Sequence, residues 1–173
     1  MKNIKVAVAG LGRIGKIHLN NLCRNLTGVE VVAVMEPAEE AEKIAEEYGI
    51  SQVFRDFDEM ISVEGPEAVV ICSPTDTHAD YVTKAARAGK HIFCEKPLDL
   101  SLDRVMEVLR VVEECDAQLM LGFNRRFDPD FRKIRDIVLN DAVGDPQIVK
   151  ITSRDPGPPP ISYIKVSGGI FLD

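Results

Sequence analysis

The chain has 173 residues, 45% of them hydrophobic, which allows one domain with a sizeable core and leaves little for a second. Its formal net charge of −7 disfavours nucleic acid and anionic membranes as partners, and no apolar stretch approaches the roughly 20 residues that span a bilayer. The four cysteines share no metal or redox spacing, which predicts no metal site and a reducing, cytoplasmic setting.

Short apolar runs alternate along the chain with segments of helical spacing. The first run is too short for the core of a signal peptide, so we interpret it as a buried strand. We expect Gly49 and Gly89 to end helices and Ser101 and Asp128 to cap them. The alternation predicts an α/β fold, a Rossmann-type doubly wound parallel sheet with strands buried on both faces. Strands are predicted at 4–9, 29–34, 68–72, 91–94 and 118–121, and helical faces at 38–48, 102–112 and 127–138.

The character of the chain changes after Gly144. The segment QIVKITSRD predicts one more strand, and PGPPP, with four prolines in five residues, predicts an exit from the first domain. We therefore expect a domain at 1–122, a linking helical segment packed on it at 123–146, and the start of a second domain at 147–173. That last segment is too short to bury a core of its own.

The first chemical motif is VAVAGLGRIGKIH, in which Gly10, Gly12 and Gly15 form G-x-G-x-x-G between a predicted strand and a predicted helix. The first glycine permits the tight turn, the second lets a pyrophosphate approach, and the third allows close packing. We expect Arg13 and Ile14, between the glycines, to contact the same dinucleotide at the helix N-terminus. The alternative is an ordinary strand-to-helix turn.

Glu36 ends the second predicted strand, about 20 residues after the third glycine, where dinucleotide sites place an acid. A carboxylate there accepts hydrogen bonds from the adenosine ribose and repels a 2′-phosphate, so it favours NAD over NADP. Two observations leave alternatives open. Glu39, Glu40 and Glu42 follow, as on a solvated helix start, and Arg13 is suited to either a pyrophosphate or a 2′-phosphate.

The second motif is HIFCEKPLDL, which places Glu95 and Lys96 at the carboxyl end of a predicted strand. Open parallel sheets bind their ligands at that edge, and Pro97 restricts the backbone of Lys96. An ammonium group there polarises a hydroxyl or carbonyl during hydride transfer. The alternative for Lys-Pro after a strand is a surface turn.

The segments GLGRIG, CSPTDTHADYV, HIFCEKPL, GFNRRFDP and GGIFLD together resemble the glucose–fructose oxidoreductase / inositol dehydrogenase / MocA family over essentially the whole chain. Within that family the chain looks most like the myo-inositol 2-dehydrogenases, on looser similarity around GFNRRFDPDF and SRDPGPPP. The resemblance implies an NAD-dependent oxidation of a secondary alcohol of a cyclitol or sugar, with myo-inositol to 2-keto-myo-inositol as the first expectation.

Family enzymes are roughly twice this long, with a C-terminal α/β domain, so the resemblance implies that the chain is an N-terminal part with a truncated second domain. The family's active-site histidine would lie one helical turn beyond Asp173. We therefore expect this chain to bind cofactor without catalysis, and the full-length protein to be a dimer or tetramer. Two alternatives stay open: a non-enzymatic nucleotide-binding regulator and an NADP-dependent sugar dehydrogenase. The reading frame past Asp173 would discriminate the enzyme from the regulator, since a histidine about one helical turn later supports the enzyme.

The resemblance also assigns residues to the site. It implies that Lys96 and Asp173 are catalytic. Arg126 and Asp155 would contact substrate together with those two residues. The loop beside the cofactor would comprise Ser73, Pro74, Thr75 and His78, and Glu95 and Lys96 would also bind the cofactor. From the residues alone, His78 is equally suited to satisfying a helix start, Asp155 to a turn, and His18 to packing.

Overall fold

A computed structural model describes residues 2–154, 157–158 and 161–164 of the chain. Six parallel strands form one sheet in the order β3-β2-β1-β4-β5-β6, with a helix between each consecutive pair along the chain. The strands are β1 Ile4–Ala9, β2 Val29–Met35, β3 Gln52–Phe54, β4 Ala68–Ile71, β5 His91–Cys94 and β6 Leu119–Leu121. The helices between them are α1 Arg13–Asn20, α2 Ala41–Glu47, α3 Phe57–Ser62, α4 Thr75–Arg87 and α5 Leu102–Glu114. The predicted doubly wound α/β fold is confirmed.

The core lies on both faces of this sheet. Alternate side chains of a strand point to opposite faces, and in β1 Val8 joins one cluster whereas Ala9 joins the other. Leu19 of α1 covers the Val8 face, and Phe57 of α3 with Val82 of α4 covers the Ala9 face. Burying one large apolar side chain completely stabilises the fold by about 1.5–3 kcal/mol. The unbroken apolar runs of the sequence follow from this two-sided burial.

Helix ends follow the chemistry of the sequence. Ser101 accepts a hydrogen bond from the Arg104 amide at the start of α5. Asp128 accepts two from backbone amides at the start of α6, Pro129–Leu139. Gly49 and Gly89 follow α2 and α4 with φ of +70° and +69°, a conformation that costs glycine little. The predicted caps and stops are confirmed.

The carboxyl ends of three neighbouring strands are level. Ala9 of β1 pairs with Ile71 of β4, and Ile71 pairs with Cys94 of β5. The amide of Glu95 donates to the Ile71 carbonyl at 2.9 Å, so the pairing continues into the loop after β5. The loops after β1, β4 and β5 therefore lie side by side at one edge of the sheet. The strand order reverses between β1 and β4, and open α/β sheets bind ligands at such a point.

Internal contacts divide the chain into two units, with the division between Gly122 and Phe123. In the second unit the described elements are a 3₁₀ turn at Asn124–Arg126, then α6, then α7 at Ile161–Ile164. In the described part of the chain, no helix is long and apolar enough to cross a membrane.

The prediction of a strand at 147–155 is wrong over its described part, because residues 147–154 form none. A strand needs hydrogen bonds from a neighbouring strand, and here Ile148, Val149 and Ile151 are 89%, 74% and 80% exposed. The remaining residue, Asp155, lies outside the described residues. The sequence also did not predict β3 and α3, since three strand residues are too few to show a pattern.

Candidate functional site

The glycine-rich loop joins β1 to α1 and is tightly packed at two of its three glycines. Gly10 has φ of +90°, and a Cβ there would lie 2.6 Å from the Ser73 amide nitrogen. A Cβ at Gly15 would lie 1.9 Å from the Gly10 carbonyl oxygen. Neither position tolerates a side chain, so the two glycines hold the loop against the sheet edge and α1 against the loop.

Gly12 differs from the other two, because a Cβ there would have no heavy atom within 4 Å. Gly12 is also the N-cap of α1, and no side chain caps the helix at this end. The open space and the unpaired amides of a helix N-terminus suit a pyrophosphate. Arg13, exposed, and Ile14, half-buried, follow as the first residues of α1. The loop therefore fits the phosphates of a dinucleotide.

Glu36 follows β2 directly, and its carboxylate turns back to the glycine-rich loop. Its Oε2 accepts from the Leu11 amide at 2.7 Å, and its Oε1 accepts from the Ala38 amide at 3.2 Å. These bonds fix the carboxylate beside the loop, and its oxygens keep further lone pairs for ribose hydroxyls.

The loop after β4 is tied to the start of α4. Ser73 and Thr77 share a hydrogen bond of 2.6 Å between their hydroxyl oxygens, while Pro74 is the N-cap and Thr75 begins the helix. His78 is only 1% exposed. The structure therefore places the His78 ring beneath the loop, where it supports the backbone, and its contact with the cofactor stays a prediction.

Lys96 follows Glu95 at the carboxyl end of β5, and its side chain is exposed at this edge of the sheet. The Glu95 carboxylate accepts from Nε2 of His18 at 2.7 Å and from the Lys96 amide at 3.3 Å. The peptide bond from Lys96 to Pro97 is cis. The lysine thus follows a glutamate that is anchored to α1, the helix of the glycine-rich loop.

Two cysteines lie beside these loops and remain thiols. Burial, with a smaller contribution from the Glu95 charge, raises the pKa of Cys72 to about 12. Burial also raises the pKa of Cys94, with smaller contributions from Cys72 and Glu95. Because the thiolate is the reactive form, neither cysteine is a nucleophile at neutral pH.

The roles of the three other predicted site residues, Arg126, Asp155 and Asp173, stay predictions. Arg126 ends the 3₁₀ turn of the second unit and is exposed. Asp155 and Asp173 lie outside the described residues. Among the residues described, no three histidine, cysteine, aspartate or glutamate side chains are grouped as metal ligands.

Sequence reasoning missed two residues that contact Glu95. His18, interpreted as a packing residue, does lie against the Phe93 ring at 5.0 Å but also binds the glutamate. A Cβ at Gly122 would lie only 3.0 Å from Oε2 of Glu95. The available signals were a histidine three residues after the third glycine and a glycine directly after the last strand.

A doubly wound parallel sheet with a glycine-rich loop after β1 and an acid after β2 defines a Rossmann-type dinucleotide-binding domain. The family described as "Oxidoreductase family, NAD-binding Rossmann fold" matches residues 4–123, so the chain belongs to the Gfo/Idh/MocA oxidoreductases. The resemblance noted in the sequence, the fold and the NAD cofactor are thereby confirmed.

Individual relatives are similar over almost the whole chain. Myo-inositol 2-dehydrogenase of Thermotoga maritima is 43% identical over 98% of this chain and 51% of its own length. Inositol 2-dehydrogenase of Rhizobium meliloti is 48% identical over 98% of this chain and 51% of its own length. The crystal structure of scyllo-inositol dehydrogenase from Lactobacillus casei with NAD(H) and scyllo-inositol superposes with a TM-score of 0.81, at 34% identity, over 83% of this chain and 43% of that one. The chain spans about half the length of the curated relatives it matches.

Proposed function

We propose that the whole protein is a cytoplasmic NAD-dependent dehydrogenase that oxidises a secondary alcohol of a cyclitol, with myo-inositol as the first candidate substrate and 2-keto-myo-inositol as the product. The 173 residues supply the cofactor-binding half and the lysine. The observation that carries the proposal is the position of Lys96, at the same sheet edge as the glycine-rich loop. The names of the similar proteins support the substrate class.

Each loop has a distinct role in this proposal. Gly12 and the N-terminus of α1 receive the pyrophosphate, and Glu36 accepts from the adenosine ribose. Ser73, Pro74 and Thr75 line the next loop, which His78 supports from below. Glu95 orients the backbone of Lys96.

Bound NAD would supply the acceptor for the hydride that leaves the alcohol carbon. The Lys96 ammonium group donates a hydrogen bond to the substrate oxygen, and this bond stabilises the negative charge that develops as the hydroxyl proton leaves. Family resemblance assigns substrate contacts to Arg126, Asp155 and Asp173. Family resemblance places a histidine one helical turn beyond Asp173, and we assign proton removal to it.

The test compares Lys96→Ala with the parent in the whole protein, expressed from its complete reading frame. Myo-inositol-dependent reduction of NAD is expected to fall about 10²–10⁴-fold, the range for general acid–base participation. The affinity for NADH is expected to change little. Lys43→Ala, on the exposed surface of α2, is the matched control and is expected to keep full turnover.

Two outcomes would count against the proposal. Nearly full turnover of Lys96→Ala would remove the catalytic role of the lysine. A parent protein that binds NADH but oxidises no cyclitol or sugar would instead support the nucleotide-binding regulator.

A further inference from the structure

Arg55 lies at the carboxyl end of β3 with both of its terminal nitrogens engaged. Nη1 donates to the carbonyl oxygens of Glu36, at 2.9 Å, and of Ala38. Nη2 donates to both carboxylate oxygens of Glu42, one of them at 2.6 Å. These contacts engage both terminal nitrogens of the guanidinium, Nη1 with backbone carbonyls and Nη2 with the Glu42 carboxylate.

This arginine is beside the proposed adenosine end of the site. β3 is the neighbour of β2, and the Glu36 amide donates to the Phe54 carbonyl at 3.1 Å, which brings the two strand ends together. Arg55 is the next residue after Phe54. In dinucleotide-binding folds an arginine in this neighbourhood accommodates the 2′-phosphate that distinguishes NADP from NAD. Arg55 therefore has the right charge and position to bind NADP, but both of its terminal nitrogens are already engaged, Nη2 by Glu42.

We propose that Glu42 is a specificity residue that acts through Arg55: by occupying the guanidinium it denies a partner to a 2′-phosphate and so favours NAD. The inference rests on the proposed placement of the adenosine ribose at Glu36. Glu36 repels the 2′-phosphate directly. Glu42 acts indirectly, because it binds the Arg55 guanidinium that would otherwise offset this repulsion.

The pair is exposed enough to exchange partners. The side chain of Arg55 is 42% exposed and that of Glu42 is 61% exposed. Ion pairs of this kind are screened by water and shift an equilibrium by up to about fivefold. Loss of the Glu42 charge therefore releases Nη2 without leaving a buried charge unpaired, and the two carbonyl contacts continue to hold Arg55 near the end of β2.

The experiment measures NADH and NADPH affinities of the 173-residue chain by calorimetry. In Glu42→Gln, NADPH affinity relative to NADH is expected to rise about two- to fivefold. Glu46→Gln is the matched control, because it removes the same charge one turn further along α2 without touching Arg55. The ratio of NADPH to NADH affinity of Glu46→Gln is expected to stay near that of the parent.

The double variant Glu42→Gln/Arg55→Gln separates the release of Arg55 from a general loss of negative charge. We expect it to lose the NADPH gain, whereas Arg55→Gln alone leaves the ratio unchanged because the parent arginine is already occupied. An unchanged ratio in Glu42→Gln, an equal change in Glu46→Gln, or a gain that persists in the double variant would each overturn the proposal. A parent that binds neither cofactor would overturn the cofactor site itself, and this inference with it.

Discussion

Glu95 shows how one side chain connects the glycine-rich loop to the lysine. Its carboxylate accepts from His18 of α1, while its backbone leads directly into Lys96. Gly122 leaves room for that carboxylate at the end of β6. Three elements thus determine the position of one glutamate, and a small change at any of them is expected to reach the site.

Gly122→Ala tests this arrangement. The added Cβ would lie 3.0–3.2 Å from the carboxylate atoms of Glu95, which is tighter than ordinary contact, so the carboxylate must move. We expect NADH affinity to fall about three- to tenfold, in the range for one weakened charged hydrogen bond. The free energy of unfolding is expected to fall by less than about 1.5 kcal/mol, because the far end of a flexible side chain gives way.

Fluorescence titration with NADH and urea denaturation measure the two quantities. Gly157→Ala is the control, since a Cβ there has no heavy atom within 4 Å. If Gly122→Ala bound NADH as tightly as the parent, the position of Glu95 would not matter for the cofactor.

At the scale of elements, His78 connects the start of α4 to the loop after β5. Nδ1 lies 2.7 Å from the Pro97 carbonyl oxygen, and Nε2 lies 2.9 Å from the Ser73 carbonyl oxygen. The buried ring therefore joins the loop after β4, which carries Ser73, to the loop after β5, which carries Lys96.

His78→Ala is expected to lower the free energy of unfolding by about 2–4 kcal/mol, because the hydrogen bonding of the ring to the loop backbone is lost and a cavity opens. His91→Ala, at the exposed start of β5, is the control and should cost no more than about 1 kcal/mol, because it loses one exposed hydrogen bond from the Gln118 amide and opens no cavity. Urea denaturation of both variants measures the difference. Equal stability of the two variants would show that His78 does not join the loops.

Local patterns predicted the parts of the fold that depend on neighbouring residues. The glycine-rich loop, Glu36 and the caps at Ser101 and Asp128 each follow from spacing over a few positions or one strand–helix unit. The contact between His18 and Glu95 spans 77 positions and exists only after α1 and β5 pack together. The strand expected at 147–155 failed for a related reason, since a strand is stabilised by a neighbour that its own sequence does not specify.

At the scale of the whole molecule, the buried core formed by the described residues lies within the first unit. Among those residues, the members of the two hydrophobic clusters fall between positions 6 and 121. By contrast, apolar side chains described after position 146 are exposed, among them Ile148, Val149 and Ile151. Exposed apolar residues grouped along a segment favour association with other surfaces.

A chain shortened to residues 1–146 is therefore expected to keep its fold and its NADH affinity and to self-associate less than the 173-residue chain. The physical reason is that the described residues removed bury little apolar surface, so the shortened chain loses little hydrophobic stabilisation. Thermal melts, NADH titration and light scattering over a range of concentrations compare the two lengths. A melting temperature lower by more than a few degrees would mean that the removed residues complete the core, and the domain boundary at 146 would then be wrong.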